Sequence, residues 1–362
     1  MATYIDTYNS EVNSFISSDK SKKFDEFCIK DSKRIKWHSS LYAKATRGEL
    51  GKFDTQKIIH SSYRPFNRIN CYYDAMFLHR VSSFPLIFPK QSLRNLVICV
   101  SGLGGSKQNT ALITDTLTDL NYLDAGTQCF PLYYYEKKAI SQPTLFDSAA
   151  SGEYTRKDAI TDFIFEKAKS IYGPKVTKED IFYYVYGLLH SEDYRKTFSA
   201  DLKKMLPRLP LLDEPKLFWS FSKAGRALAE LHLNYEKQPF CKEIVIEGEE
   251  SQKWRVEKMR FPNKEDKSTI QYNSWITLKN IPQEAYDYVV NGRSAIEWIM
   301  ERYQITTHKE SGITNDPNDW ATEHNQPRYI LDLLLSVVTV SLETMKIVKG
   351  LPKLDFSQGS TD

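Results

Sequence analysis

The stretch NLVICVSGLGGSKQNTALITD, Asn95 to Asp115, decides how this chain reads. Two short apolar runs, LVICV and ALITD, flank a glycine-rich turn that carries Ser106 and Lys107. A nucleotide-binding loop of the form GxxxxGK[ST] wraps its amides around a phosphate, while the lysine and the hydroxyl after it meet the outer phosphates and magnesium. Here Gly102, Gly104 and Gly105 are bunched, and Gln108 stands where the hydroxyl is needed. A GxSxG nucleophile elbow fails as well, because Ser101 lacks the preceding glycine and Ser106 has Gln108 where the second glycine belongs. The dinucleotide fingerprint GxGxxG is half present in Gly102-Leu103-Gly104, but the third glycine is missing and ALITD continues as a strand instead of a helix. Two readings of the turn remain. It is a plain bend between strands, or a loop tip whose Ser106, Lys107, Gln108 and Asn109 donate to phosphates and base edges.

Outward from this stretch the texture divides. Residues 57 to 135 hold short β-rich runs (IIHSSYRPF, INCYYD, CFPLYYY) between turn residues, which predicts a mixed or antiparallel sheet. Residues 1 to 50 show helical spacing at Val12, Phe15 and Ile16 and again at Phe24, Phe27 and Cys28, which predicts two short helices and a connector. Beyond a small-residue loop, helices take over. Thr177 and Asp180 cap IFYYVYGLL, Ser191 caps EDYRKTFSADLKKML, and Ser222 to Glu236 forms another amphipathic helix. EIVIEG, WRVEKMRF and STIQYNSWITL make a second β-rich patch, with Asn273 and Ser274 at a hairpin turn. SAIEWIMERY and Pro327 to Lys349 are the last helices.

The expected fold is therefore α+β: a mixed or antiparallel sheet in the N-terminal half, then a helical C-terminal half with a second small β patch. The expected divisions are a helical lead-in at 1–50, a β-rich part at 51–140 and a linker loop at 141–155. Helical support follows at 156–240, the β patch at 241–281, C-terminal helices at 282–350 and a tail at 351–362.

Composition narrows the function classes. With 41% hydrophobic and 26% charged residues the chain is that of an ordinary globular protein, and no apolar run approaches the ~20 residues of a membrane span. Met1 to Asn13 is polar and lacks the apolar core of a signal peptide, so a cytoplasmic protein with no membrane partner is expected. Five scattered cysteines form no CxxC pattern, and seven histidines form no HExxH pair, so no metal site is expected. The net charge of +3 hides an asymmetry: residues 1–110 carry seventeen Lys and Arg against nine Asp and Glu. That front excess of +8 leaves −5 for the rest, and such a basic region is either an electrostatic footprint for a polyanion or an ordinary solvated surface.

Catalytic signatures are missing. Asn315-Asp316-Pro317-Asn318 approaches the [DN]PP[YF] tetrapeptide of adenine methyltransferases but has Asn where the second proline belongs, and reads as a turn. Asp213-Glu214-Pro215-Lys216 lies in a proline-broken stretch, unlike the carboxylates and lysine of a metal-dependent nuclease. YRPFNRINCYYD, Tyr63 to Asp74, mixes arginines with aromatics, a combination that lays guanidinium groups on phosphates or, equally, packs a core with structural ion pairs. Arg64, Arg68 and Arg80, with Ser106, Lys107, Gln108 and Asn109, are the candidate DNA-binding residues; no catalytic, cofactor or metal residue is assigned.

Taken together, SSYRPFNRINCYYD, RNLVICVSGLGGSKQNTALITDTLTDL, YTRKDAITDF, FWSFSKAGRALAELHLNYE, SGITNDPNDWA and PRYILDLLLSVVTVSLETMKIV resemble the C-terminal specificity part of Type ISP single-polypeptide restriction-modification enzymes, from about Ser40 to Leu354. The resemblance implies a target-recognition region that binds a specific double-stranded DNA sequence for an attached adenine N6-methyltransferase and an ATP-dependent helicase-nuclease. It implies that the region is no enzyme on its own, and that S-adenosylmethionine, ATP and magnesium belong to the rest of the enzyme. The alternative is a protein-docking module that grips DNA only with the methyltransferase. Because family members read different sequences, base readout is expected in variable loops such as Glu136–Gly152, Glu247–Lys253 and Pro262–Lys267.

Overall fold

The computed structural model describes residues 1–18, 23–79, 81–138 and 153–356. It is an α+β fold, as the sequence predicts. In chain order the elements begin with helices α1 (Ala2–Ile16), α2 (Phe24–Phe27) and α3 (Ser39–Thr46), one more than expected. The β-rich part follows with β1 (Ile58–Arg64), β2 (Asn67–Tyr72), the one-turn helix α4 (Phe84–Ile87), β3 (Val97–Val100), β4 (Ala111–Thr114), β5 (Leu117–Thr118), β6 (Gln128–Pro131), β7 (Tyr133–Lys137) and β8 (Tyr154–Asp158). Helices α5 (Asp162–Tyr172), α6 (Lys178–Leu189), α7 (Glu192–Thr197) and α8 (Pro215–Leu233) precede the second patch, β9 (Val245–Glu247), β10 (Ile270–Gln271) and β11 (Thr277–Lys279). The chain continues through β12 (Val289–Val290), β13 (Arg293–Ser294), α9 (Ala295–Arg302), β14 (Thr306–Thr307), β15 (Thr314–Asn315), α10 (Asn318–Glu323) and α11 (Tyr329–Lys349).

The N-terminal β-structure is divided over three small sheets: β2-β1-β5, with β1 and β5 parallel, the antiparallel β4-β3-β6, and the β7-β8 pair. Strands β3 and β4 are the hinge of the architecture, because every residue in both is buried. Successive side chains on a strand point to opposite faces. Val97, Cys99 and Leu112 therefore enter one core with α9, α11 and the second β patch, while Ile98, Val100, Ala111 and Ile113 enter another with α5, α6 and α8. A third cluster around Tyr8, Phe24, Leu41 and Phe77 holds the N-terminal helices. Each fully buried Ile, Val or Leu contributes roughly 1.5–3 kcal/mol, so a strand buried on both faces couples the two larger cores.

Several local expectations hold and others shift. The capping box of Thr177 and Asp180 starts α6, and a second one, Ser294 with Glu297, starts α9. Ser191 caps α7 as expected, but that helix ends at Thr197, where Phe198 turns its ring onto Tyr194 and Phe356 at 5.1 Å from each. Helix α8 begins at Pro215, well before Ser222, because a proline at the first helical position loses no hydrogen bond. Most of the expected 141–155 linker lies outside the described residues, and its last two residues, Tyr154 and Thr155, are strand, paired with Lys137 and Glu136. The described part of the tail is packed: Leu354 donates to Asp193 at 3.0 Å and Phe356 meets Tyr194.

A buried polar seam ties α6, α8 and α11. The Tyr186 hydroxyl and His232 Nδ1 lie 2.6 Å apart, His232 Nε2 lies 3.0 Å from Thr344 Oγ1, and the Tyr186 carbonyl lies 2.8 Å from His190 Nδ1. Burial lowers the His190 pKa to about 4 and holds His232 well below its ordinary value.

Candidate nucleic-acid interface

The turn that opened the sequence is a hairpin tip, with β3 and β4 in antiparallel register from Val97↔Thr114 to Val100↔Ala111. One glycine serves packing and another serves the backbone of the turn. A Cβ on Gly102 would lie 1.9 Å from the Ala125 carbonyl oxygen, and Gly104 sits at φ +74 in open space. The Lys107 amide donates to Asp124 Oδ2 at 3.0 Å, and the lysine chain lies across Gly292. Ser106, Lys107 and Gln108 are exposed and Asn109 is half-buried.

Three depressions lie near one another, each linked to the next by an ion pair. The first, about 290 Å³, brings Lys107 together with Arg64 and adds Arg293 beside Trp298. Arg64 is positioned by the hairpin turn between β1 and β2, where Phe66 holds φ +57 with its ring buried against Tyr235 and Tyr288. A left-handed phenylalanine is strained unless its surroundings hold it there. The Arg64 guanidinium lies 4.1 Å over the Tyr63 ring and donates to Asp119 at 2.5 Å.

The second depression, about 1170 Å³, is lined by amides of the β1–β2 hairpin (Asn67, Asn70) and of the C-terminal region (Gln304, Asn315), with Trp320 at one side. Arg68 is tied down in it, donating to Asp115 and to the Leu233 carbonyl, each at 3.2 Å, with Glu236 at 4.0 Å. Glu301 joins the first two depressions by pairing with both Arg293 and Arg302. Burial, and after it the Arg64 charge, lowers the Arg302 pKa from its ordinary value.

The third depression, about 730 Å³, lies between the 252–260 segment and the β10–β11 hairpin. It meets the second where Arg255 pairs with Asp316. The Asn315-Asp316-Pro317-Asn318 stretch, read as a turn, runs from the last residue of β15 through Asp316 and Pro317 to the first residue of α10, and it is also a clamp. Asn318 accepts from the Val256 amide at 3.0 Å and donates to the Val256 carbonyl at 2.8 Å. Among the described residues no group of three or more His, Cys, Asp or Glu side chains is placed to hold a metal ion, and no helix is long and apolar enough to cross a membrane.

The model of the Type ISP C-terminal specificity domain matches residues 1–333. The chain belongs to the Type ISP specificity-domain family. The ATP-dependent Type ISP restriction-modification enzyme LlaBIII, solved bound to DNA, is similar with a TM-score of 0.84 and 36% identity over 98% of this chain and 22% of that one. A nuclease-deletion mutant of the Type ISP restriction-modification enzyme LlaGI, in complex with a DNA substrate mimic, gives 0.82 and 38% identity over 97% of this chain and 25% of that one. The DrdV–DNA complex gives 0.80 and 28% identity over 97% of this chain and 33% of that one. This specificity domain thus spans about a quarter of the length of LlaBIII or LlaGI. No curated protein matches it significantly.

Of the sequence candidates in this Type ISP specificity domain, the fold gathers Arg64 and Lys107 into one depression and puts Arg68 in its neighbour. Ser106, Gln108 and Asn109 stay on the turn outside the first depression, and Arg80 lies outside the described residues. Sequence reading missed Arg293, which only tertiary packing brings to Lys107. Of the third depression it named only Lys253, as the end of the Glu247–Lys253 loop, and missed Arg255, Lys258 and Arg260, although their signal was present in KWRVEKMR, Lys253 to Arg260, four cations in eight residues around Trp254.

Proposed function

We propose that this chain is the target-recognition part of a restriction-modification enzyme, binding a specific double-stranded DNA sequence in register for an attached adenine N6-methyltransferase and ATP-dependent nuclease. The observation that carries the reading is the convergence of Lys107, Arg64 and Arg293 beside a groove lined by amides, in a fold shared with enzymes solved on DNA. Cations hold phosphates and fix the register, while Asn and Gln amides have the paired donor and acceptor that match adenine edges. Lys107, exposed and without a carboxylate on its ammonium among the described residues, is the better phosphate contact. Arg64 shares its charge with Asp119 and Arg68 shares its own with Asp115, so both act mainly by shaping the groove. Bond making and breaking fall to the other domains of the enzyme, with S-adenosylmethionine, ATP and magnesium; this chain supplies the address.

Titrating labelled duplexes at several salt concentrations tests the reading. The expected result is a log–log slope of roughly −0.9 per phosphate contacted. Absence of binding at low salt, or binding indifferent to salt, contradicts it. A docking module that needs the methyltransferase is the second reading, favoured by an apolar cavity of about 360 Å³ walled by Ile98, Val185 and Phe130, the last 44% exposed. Under that reading DNA is bound only after the methyltransferase domain is added.

A further inference from the structure

We propose that the third depression, between the 252–260 segment and the β10–β11 hairpin, is a second DNA grip that is independent of sequence and holds duplex beyond the target. The inference rests on the DNA-binding reading above and assigns a separate surface to it.

The groove is built to be rigid. Asn273 Oδ1 accepts from the amides of Trp275 and Ile276 at 2.8 Å each, and its Nδ2 donates to the carbonyls of Lys253 and Arg255 at 2.7 and 2.9 Å. One side chain thereby staples the hairpin tip to the opposite wall. Gly248, at φ +81, has no Cβ where one would lie 1.9 Å from the Trp275 carbonyl oxygen, so β9 closes tightly under the tip. The Asn318 clamp fixes the other wall at Val256.

The chemistry on this frame favours a polyanion with sugar rings. Lys253, Arg255, Lys258 and Arg260 line the groove against the single carboxylate of Glu257. Arg255 is paired with Asp316, but among the described residues Lys253, Lys258 and Arg260 have no carboxylate within 4.0 Å. Trp275 is 57% exposed, with the Lys253 ammonium 3.2 Å from its ring centre. An exposed indole held rigid by its backbone, with a cation across its face, offers apolar contact to deoxyribose and charge to the adjacent phosphate. Coulomb attraction to phosphate carries no sequence information, so this grip strengthens target and non-target duplex alike.

The test compares the full chain with a Lys253→Ala/Lys258→Ala/Arg260→Ala variant and with Trp275→Ala, on a labelled duplex of arbitrary sequence across a salt series. All four side chains are exposed, so thermal unfolding should be unchanged. We expect the triple variant to bind roughly tenfold or more weakly, with a slope shallower by about 0.9 for each lost contact. Trp275→Ala should lose about fivefold, with Trp275→Phe restoring most of it. If the wild-type chain binds and the triple variant matches it in affinity and slope, the groove is overturned and the DNA reading survives. If the wild-type chain binds no duplex, the DNA reading itself fails. A variant that keeps its DNA affinity but no longer co-purifies with the methyltransferase domain makes the groove a protein-docking surface, which also overturns the proposal.

Discussion

The β3–β4 and β10–β11 hairpins use one device and reach opposite electrostatic ends. At each, a glycine leaves room for a carbonyl that a Cβ would strike at 1.9 Å: Gly102 on the first hairpin against Ala125, and Gly248, just after β9, against Trp275 of the second. Around the first, the arginines meet acids and, among the described residues, only Lys107 of the named cations does not. Arg64 pairs with Asp119, Arg68 with Asp115 and Arg293 with Glu301. Around the second, Arg255 pairs with Asp316, while Lys253, Lys258 and Arg260 are exposed with no carboxylate within 4.0 Å among the described residues, beside an exposed tryptophan. The first hairpin lies by the basic front of the sequence and the second within the acidic remainder, so a sequence-level charge excess and a local positive surface are different quantities. Tertiary pairing decides which cations stay available.

The two tight turns provide the largest expected effect. Gly102→Ala and Gly248→Ala should each lower unfolding stability by about 3 kcal/mol, since each adds a methyl against a carbonyl. Gly104→Ala, with positive φ but nothing within 4 Å, should lose only about 1 kcal/mol. Urea midpoints measure all three, and equal losses would remove the close-approach explanation.

The next effect concerns what backs the hairpins, for the histidine seam lies in the helical layer behind Ile98 and Val100. In the unfolded chain these imidazoles take up protons as pH falls through their ordinary value of 6.5, while in the native protein burial holds His190 neutral until about 4 and keeps His232 well below its ordinary value. The unfolded state then binds more protons, so stability must fall with acid across that window. A loss of about 2–3 kcal/mol between roughly pH 7 and pH 5.5 is expected, and a His190→Gln/His232→Gln variant should flatten the profile. A wild-type profile already flat there contradicts the buried neutral assignment.

The smallest effects separate charge that is free from charge that is paired. Lys107→Ala should weaken duplex binding about threefold to tenfold on every sequence and reduce the salt slope by about 1. Arg64→Ala should also weaken binding on all sequences, with less change in salt slope, since it exposes Asp119 as it removes the cation. Identical slopes in the two variants would show that the ion pair does not limit Arg64.

Much of this was legible in the chain because it is local. Caps at Thr177 and Ser191, the strand-turn-strand at Val97–Thr114 and the hairpin at Asn273 depend on residues a few positions apart. The glycine turn was legible as a bend between two strands for the same reason, and β3 and β4 pair on either side of it. What sequence left open depends on distance. That β3 and β4 are buried on both faces follows from two separate layers closing over them, and that Asn318 clamps Val256 follows from a contact 62 residues long. Periodicity gave the helix around Ser222 but not its start at Pro215, where a proline read as a breaker served as the first residue. Arg68 looked available from its neighbours in sequence; its partners, Asp115 and Glu236, come from elsewhere in the chain.

Sequence-specific duplex binding by this chain is most directly tested by a selection from random duplexes with the chain alone. An enriched motif, retained when competitor duplex is added, is the expected outcome. A recovered pool with no motif, or no recovered duplex at low salt, contradicts target recognition by this chain.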